Sequence, residues 1–290
     1  MIILVCSGYT DKSVLAHAPA GSEGDGVYTV EFDPELAKFQ NLKSSKVETN
    51  PAFIMKHPSQ DLIYMTTETI KTGSELLVGR INRKSGTVEV EERRQVGGRS
   101  TCHISWDAER SHLLAVSYWD SKVTSFKVDK EGMVGEAVEV YSDPGAEYVD
   151  THQPDRWEHL QHRQRWSHLH QVNLDPYTKK LFLIPDLGRD MIQYFDIKNG
   201  HIKHLGGHQL RRGTGPRHLE FSRQQRVVYA CGELDNTVSV LEYHVEAVDD
   251  IVSGAGDQGL MTQVQTVSTV PENITGKSTI AEMRLHPSGR

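Results

Sequence analysis

A short apolar run that ends in Asp, His or Ser and then turns recurs along this chain, and that recurrence limits the fold more than any other feature. The runs are Ile54-Met55-Lys56-His57-Pro58, Ile104-Ser105-Trp106-Asp107, Val172-Asn173-Leu174-Asp175-Pro176, Leu219-Glu220-Phe221-Ser222 and Met283-Arg284-Leu285-His286-Pro287. A second apolar run follows each of the first four, as in Leu113-Leu114-Ala115-Val116-Ser117 and Val227-Val228-Tyr229-Ala230. A third, alternating run comes next, as in Val123-Thr124-Ser125-Phe126, Ile192-Gln193-Tyr194-Phe195 and Val238-Ser239-Val240-Leu241. Val27-Tyr28-Thr29-Val30 and Leu77-Val78-Gly79-Arg80-Ile81 hold the third place in two earlier units. The period is roughly 47 to 50 residues wherever no extra segment intervenes.

Short strands repeating at that period predict an all-β fold, a β-propeller of four-stranded antiparallel blades. A sandwich has no need of so regular a repeat. The count predicts about five blades plus part of a sixth, cut off at Arg290, so that 1–290 is one propeller domain with an incomplete ring. Two gaps are longer and predict insertions near 142–165 and 246–275, the kind of loop that covers a site. The apolar opening Met1–Cys6 is too short for a signal-peptide core and reads as a strand. No apolar run approaches the roughly 18 residues of a membrane span, so no membrane partner and a cytoplasmic setting are expected. A formal net charge of -7 argues against a nucleic-acid partner. Three scattered cysteines, Cys6, Cys102 and Cys231, fit neither a disulfide framework nor a metal pair and are expected to be buried thiols. The sequence leaves the oligomeric state open.

In a propeller the first strand of each blade lies innermost, so residues at the entries to first strands converge although far apart in sequence. Counting back two places from the first apolar position of each inner strand gives Cys102, His170 and Arg217; counting back one gives Phe53, His103, Gln171, His218 and Glu282. Imidazoles and a guanidinium therefore recur at equivalent places, with turn hydrogen bonding as the alternative use. His168 and His170, two apart, would share one face of a strand and admit a metal site with His103 or His218, but no carboxylate stands at a persuasive ligand spacing.

Gly213-Thr214-Gly215-Pro216-Arg217-His218, followed by Ala230-Cys231-Gly232-Glu233-Leu234-Asp235-Asn236-Thr237-Val238, is the most specific feature. With Ser167-His168-Leu169-His170-Gln171, Pro185-Asp186-Leu187-Gly188, Asn50-Pro51, Thr67-Glu68 and Cys102-His103, it resembles the lactonase family across nearly the whole chain. That family contains bacterial 6-phosphogluconolactonases and the fungal 3-carboxymuconate cyclase, and its fold is a seven-bladed propeller. The resemblance implies a hydrolase that opens a small anionic sugar lactone, with a lactonising cyclase or a non-catalytic metabolite- or protein-binding propeller as alternatives.

It also implies that His170, Arg217 and Glu233 are catalytic, that His168, His218, Arg163 and His103 bind substrate, and that no metal or other cofactor is used. The chemistry suits those roles. Arg217 offers a rigid fork of donors to a carboxylate or phosphate, and Glu233 and His170 can transfer protons. The alternative for Arg217 and Glu233 is an ion pair joining neighbouring strands. Asp186 reads as a strand-end cap, and Asn50 and Asn236 read as turn residues. Two departures from the family pattern stand out. Arg189-Asp190-Met191-Ile192 places the Arg before the Asp where many members have Asp-Arg, and a further Arg expected beyond Arg290 has no counterpart here.

Overall fold

The computed structural model describes residues 2–16, 18–107, 109, 111–143, 161–256, 259–273, 278–286 and 288–289. Among them lie five antiparallel sheets, each running in sequence order. They fall into two compact units, Met1–Tyr141 and Ser142–Arg290.

In the first unit, β1 (Ile2–Ser7), β2 (Gly26–Asp33) and β3 (Lys38–Lys46) make a three-stranded sheet. β4 (Pro51–Lys56), β5 (Leu62–Thr67), β6 (Glu75–Asn82) and β7 (Thr87–Gln95) make the second, and β8 (Thr101–Asp107), β9 (His112–Ser117), β10 (Lys122–Val128) and β11 (Val134–Ser142) the third. β5 explains why the middle runs lack polar alternation. All six of its residues are buried, because side chains alternate between faces and both faces are covered. Leu62 and Tyr64 pack with Ile104, Leu113 and Phe126 on one side, while Ile63 and Met65 pack with Val27, Val47 and Leu77 on the other. The outer strand β3 is exposed at every position except Ser45 and β7 mostly alternates half-buried with exposed positions; β3 carries Lys and β7 carries Glu and Arg, charges that discourage edge pairing.

The second unit repeats the plan. α1 (Gln161–Gln164) precedes β12 (Asn173–Leu174), β13 (Phe182–Asp186), β14 (Met191–Lys198) and β15 (His201–Gln209). Then come β16 (Pro216–Ser222), β17 (Val227–Gly232), β18 (Thr237–Tyr243), α2 (Val248–Ser253) and β19 (Met261–Ser268). Leu181, Leu183, Ile192 and Tyr194 of the fourth sheet interdigitate with Leu219, Val228, Leu241 and Tyr243 of the fifth, and Val248 and Ile251 of α2 close that core.

Three expectations change in detail. Met283–Leu285 forms no strand; a strand exists only as a ladder, and this segment pairs with no other strand among the described residues. The segment 246–275 contains α2 and β19, so much of it is the fourth strand of a sheet. β19 hides in the sequence because seven of its eight residues are exposed and mostly polar. Most of 142–165, namely 144–160, lies outside the described residues. Of the cysteines only Cys231 is buried; Cys6 is exposed on β1, whose residues alternate between exposed and half-buried, and Cys102 is intermediate.

Candidate active site

Three of the four inner strands of the four-stranded sheets begin with the same local defect. The ladder slips by one residue between Thr101 and His103, between Pro216 and His218 and between Pro51 and Ile54, which leaves Cys102, Arg217 and the pair Ala52-Phe53 bulged. In the fourth sheet an isolated bridge joins Leu169 to Asp186 before the ladder resumes at Asn173, and His170 follows that bridge. A bulge tilts the strand and re-aims one side chain. The counting rule therefore selected bulge positions at Cys102 and Arg217, and at His170 a residue between an isolated bridge and the resumed ladder.

A second constant lies at the far end of the neighbouring strand. The residue just past it donates its N–H to the carbonyl that precedes the inner strand: Glu68 to Asn50 at 2.9 Å, Tyr118 to Ser100 at 2.9 Å, Leu187 to His168 at 3.0 Å and Glu233 to Gly215 at 2.9 Å. The backbone thus offers one frame in each sheet, and side chains decide what the frame does.

In the fifth sheet the frame brings Arg217 and Glu233 together. Arg217 Nε lies 3.0 Å from Glu233 Oε2, and Arg163 Nη2, delivered by α1, lies 2.5 Å from the other oxygen, Oε1. The carboxylate is buried, its side chain 10% exposed, while the two arginine side chains are 22% and 29% exposed. Two guanidinium groups around one carboxylate leave a local excess of positive charge in a semi-enclosed place, where an anion is attracted more strongly than in open water. Arg217 Nη1 also donates to the Ala281 carbonyl.

The His170 and His218 rings meet edge to face, 5.4 Å apart, and His218 Nε2 lies 3.4 Å from Arg217 Nη1. Burial, and after it the nearby Arg217 and Arg284 charges, push the His218 pKa down to about 3. This imidazole is neutral near pH 7 and can act through hydrogen bonds without adding charge.

Supporting contacts hold these groups. Asp186, fully buried, accepts from Ser167 Oγ at 2.6 Å, from His168 N at 2.8 Å and from Gln193 Nε2 at 2.7 Å, so its carboxylate anchors the stretch leading to His170. Gln171 Oε1 accepts the Leu219 N–H at 2.6 Å and ties the fourth sheet to the fifth. His168 is buried and its backbone is spent on Asp186 and Leu187. His103 lies in the first unit, its ring 4.2 Å from that of Phe53. Among the described residues no three His, Cys, Asp or Glu side chains converge as a metal-holding set, and no helix is long and apolar enough to cross a membrane.

Sequence reasoning missed Gln164 and Asp190. Gln164 Nε2 donates to Asp190 Oδ1 at 2.7 Å and to the Leu187 carbonyl at 3.0 Å. The displaced Arg189 pairs with Asp143 at 2.6 Å, which leaves Asp190 to turn the other way. The available signal was its place just before a third strand, where Ser121 and Asn236 share its left-handed backbone with φ of 47°, 55° and 56° at 121, 190 and 236.

A family model described as "Lactonase, 7-bladed beta-propeller" matches residues 4–290. The chain belongs to the lactonase family. Among relatives of this lactonase-family chain is a Bacillus subtilis (strain 168) protein named 6-phosphogluconolactonase, 25% identical over 274 residues, 94% of this chain and 71% of that one. A 6-phosphogluconolactonase of Formosa agariphila is 24% identical over 222 residues, 74% of this chain and 60% of that one. Among solved structures, the Pseudomonas aeruginosa periplasmic gluconolactonase matches with a TM-score of 0.76 at 20% identity, over 99% of this chain and 73% of that one. A putative 6-phosphogluconolactonase of Bacteroides fragilis gives 0.74 at 22% identity, over 99% and 72%. At such identities the structural likeness establishes the propeller fold, and the functional argument passes to the site.

Proposed function

We propose that this protein hydrolyses a small anionic sugar lactone of the 6-phosphogluconolactone type. The observation that carries the reading is the buried Glu233 carboxylate held by Arg217 and Arg163 beside the His170–His218 ring pair. Names of relatives supply the substrate class; the site supplies the means. Arg217 and Arg163 bind the anionic group and orient the ring. Water attacks the lactone carbonyl carbon, its proton passes to one of Glu233 and His170, the ring C–O bond breaks, and the departing oxygen takes a proton to give the open-chain acid. Arginine and histidine N–H groups stabilise the oxyanion. His168 and His218 contribute substrate contacts, and water is the nucleophile without a metal or other cofactor. The reading includes a single propeller domain over residues 1–290 and a cytoplasmic setting.

The test is the initial rate of 6-phosphogluconolactone opening against the spontaneous rate, with 3-carboxymuconate as the competing substrate. Acceleration of the lactone supports the proposal. No acceleration of the lactone, or turnover of the muconate alone, overturns it.

A further inference from the structure

The proposed mechanism uses Arg163 and Arg217 but does not explain what places two arginines from separate segments on one carboxylate. α1 is a single turn and Gly213–Gly215 is a loop with left-handed glycines, φ 81° at 213 and 58° at 215. Neither is stiff by itself. Asp190 touches both. Its carboxylate, on a residue 7% exposed, accepts the Gly213 N–H at Oδ2 (2.8 Å), the Gly215 N–H at Oδ1 (2.7 Å) and Gln164 Nε2 at Oδ1 (2.7 Å). Gln164 is adjacent to Arg163. Gly215 stands two residues before Arg217, and its carbonyl receives the Glu233 N–H.

Asp120, one residue before the third-sheet equivalent of Asp190, provides a contrast. It accepts the Arg99 N–H at 2.9 Å, from the loop that enters its own sheet. Asp190 instead reaches from the fourth sheet to the entry loop of the fifth. Burial raises the Asp190 pKa above the ordinary carboxylate value, opposed by the Gly215, Gly213 and Gln164 hydrogen bonds; a buried acid kept in such a place needs all its donors.

We propose that Asp190 is a positioning residue: it ties the loop carrying Arg217 to the turn carrying Arg163 and so sets both guanidinium groups on Glu233. This rests on the lactonase reading for its kinetic consequences, but its structural consequence can be read separately. The experiment compares Asp190→Asn and Gln164→Ala with the parent protein, well below their unfolding temperatures. Asp190→Asn turns one acceptor into a donor facing the Gly213 N–H; Gln164→Ala cuts only the link to α1.

Expected for Asp190→Asn is at least a tenfold loss of kcat/KM on 6-phosphogluconolactone, mainly through KM, with a changed Arg217 Nε–Hε NMR resonance. Expected for Gln164→Ala is a severalfold rise in KM that disappears in an Arg163→Ala background. An unchanged KM with only a lower melting temperature, an unchanged Arg217 resonance in folded Asp190→Asn, or a Gln164→Ala effect that persists without Arg163 overturns the proposal. If the parent protein opens no lactone, the lactonase reading falls while the Arg217 resonance still decides the role of Asp190. If Asp190→Asn does not fold, the Gln164–Arg163 cycle decides it.

Discussion

The second and fifth sheets use the same backbone frame for opposite electrostatics. Glu68 and Glu233 both stand just past the strand that pairs with the inner one, and each donates its N–H to the residue before the inner strand. At the bulge the fifth sheet has Arg217, which forms an ion pair with Glu233, and Glu233 also accepts a hydrogen bond from the Arg163 guanidinium. The second sheet has Ala52 and Phe53 there, and Glu68 Oε2 accepts a neutral donor, the Tyr9 hydroxyl at 2.5 Å. Its cleft, about 360 Å³, is lined by Asp11, Glu48, Glu68 and Glu75 among others. A glutamate in this frame is therefore not a catalytic group by position alone; the bulged neighbour decides whether an anion is drawn in or repelled.

The largest expected effect comes from removing that neighbour. Arg217→Ala should lower kcat/KM on 6-phosphogluconolactone by roughly 10²–10³, the scale for losing one well-placed charged donor, and Cys102→Ala at the equivalent bulge of the third sheet should change it by less than about threefold. Steady-state kinetics on both variants checks this; equal losses would break the link between bulge and chemistry.

Asn50→Ala should act on stability. Asn50, 2% exposed, accepts the Thr10 and Asp11 N–H groups at 2.8 Å each and donates to the Asp11 and Glu68 carbonyls at 2.7 and 3.1 Å. Losing these bonds should destabilise the first unit by about 2–4 kcal/mol, at about 1 kcal/mol for each bond, measurable by urea unfolding. Gly215, at the same frame position in the fifth sheet, has no side chain to lose.

A smaller effect concerns pH. The folded His218 pKa, about 3, lies below the ordinary imidazole value of 6.5 that it takes in the unfolded chain, so between those values the unfolded chain binds more protons and stability falls as pH falls. His218→Gln should flatten that part of the stability profile, read as melting temperature from pH 7 to 4. An unchanged slope would contradict the burial-based account.

Much of the frame was legible because it depends on periodicity and burial. The fully buried β5, β9 and β13 appear as apolar runs, and the bulges at Cys102 and Arg217 could be counted from the starts of the inner strands that precede them. Polar, exposed β19 was hidden for the opposite reason. Arg217 and Glu233 were singled out in the sequence, partly from the family resemblance, and their pairing with each other and with Arg163 is a tertiary fact. Asp190 and Gln164 were not singled out: the turn before a third strand marks the backbone of Asp190, but its partners, backbone N–H groups and a carboxamide on segments apart in sequence, leave no residue pattern.

The most direct test of the central claim compares Glu233→Gln and Glu68→Gln in one lactone-opening assay at pH 7. The account predicts that the first loses roughly 10²–10⁴ in kcat, the range for a general acid or base, and that the second stays within about threefold of the parent. Equal losses, or a larger loss for Glu68→Gln, would contradict it.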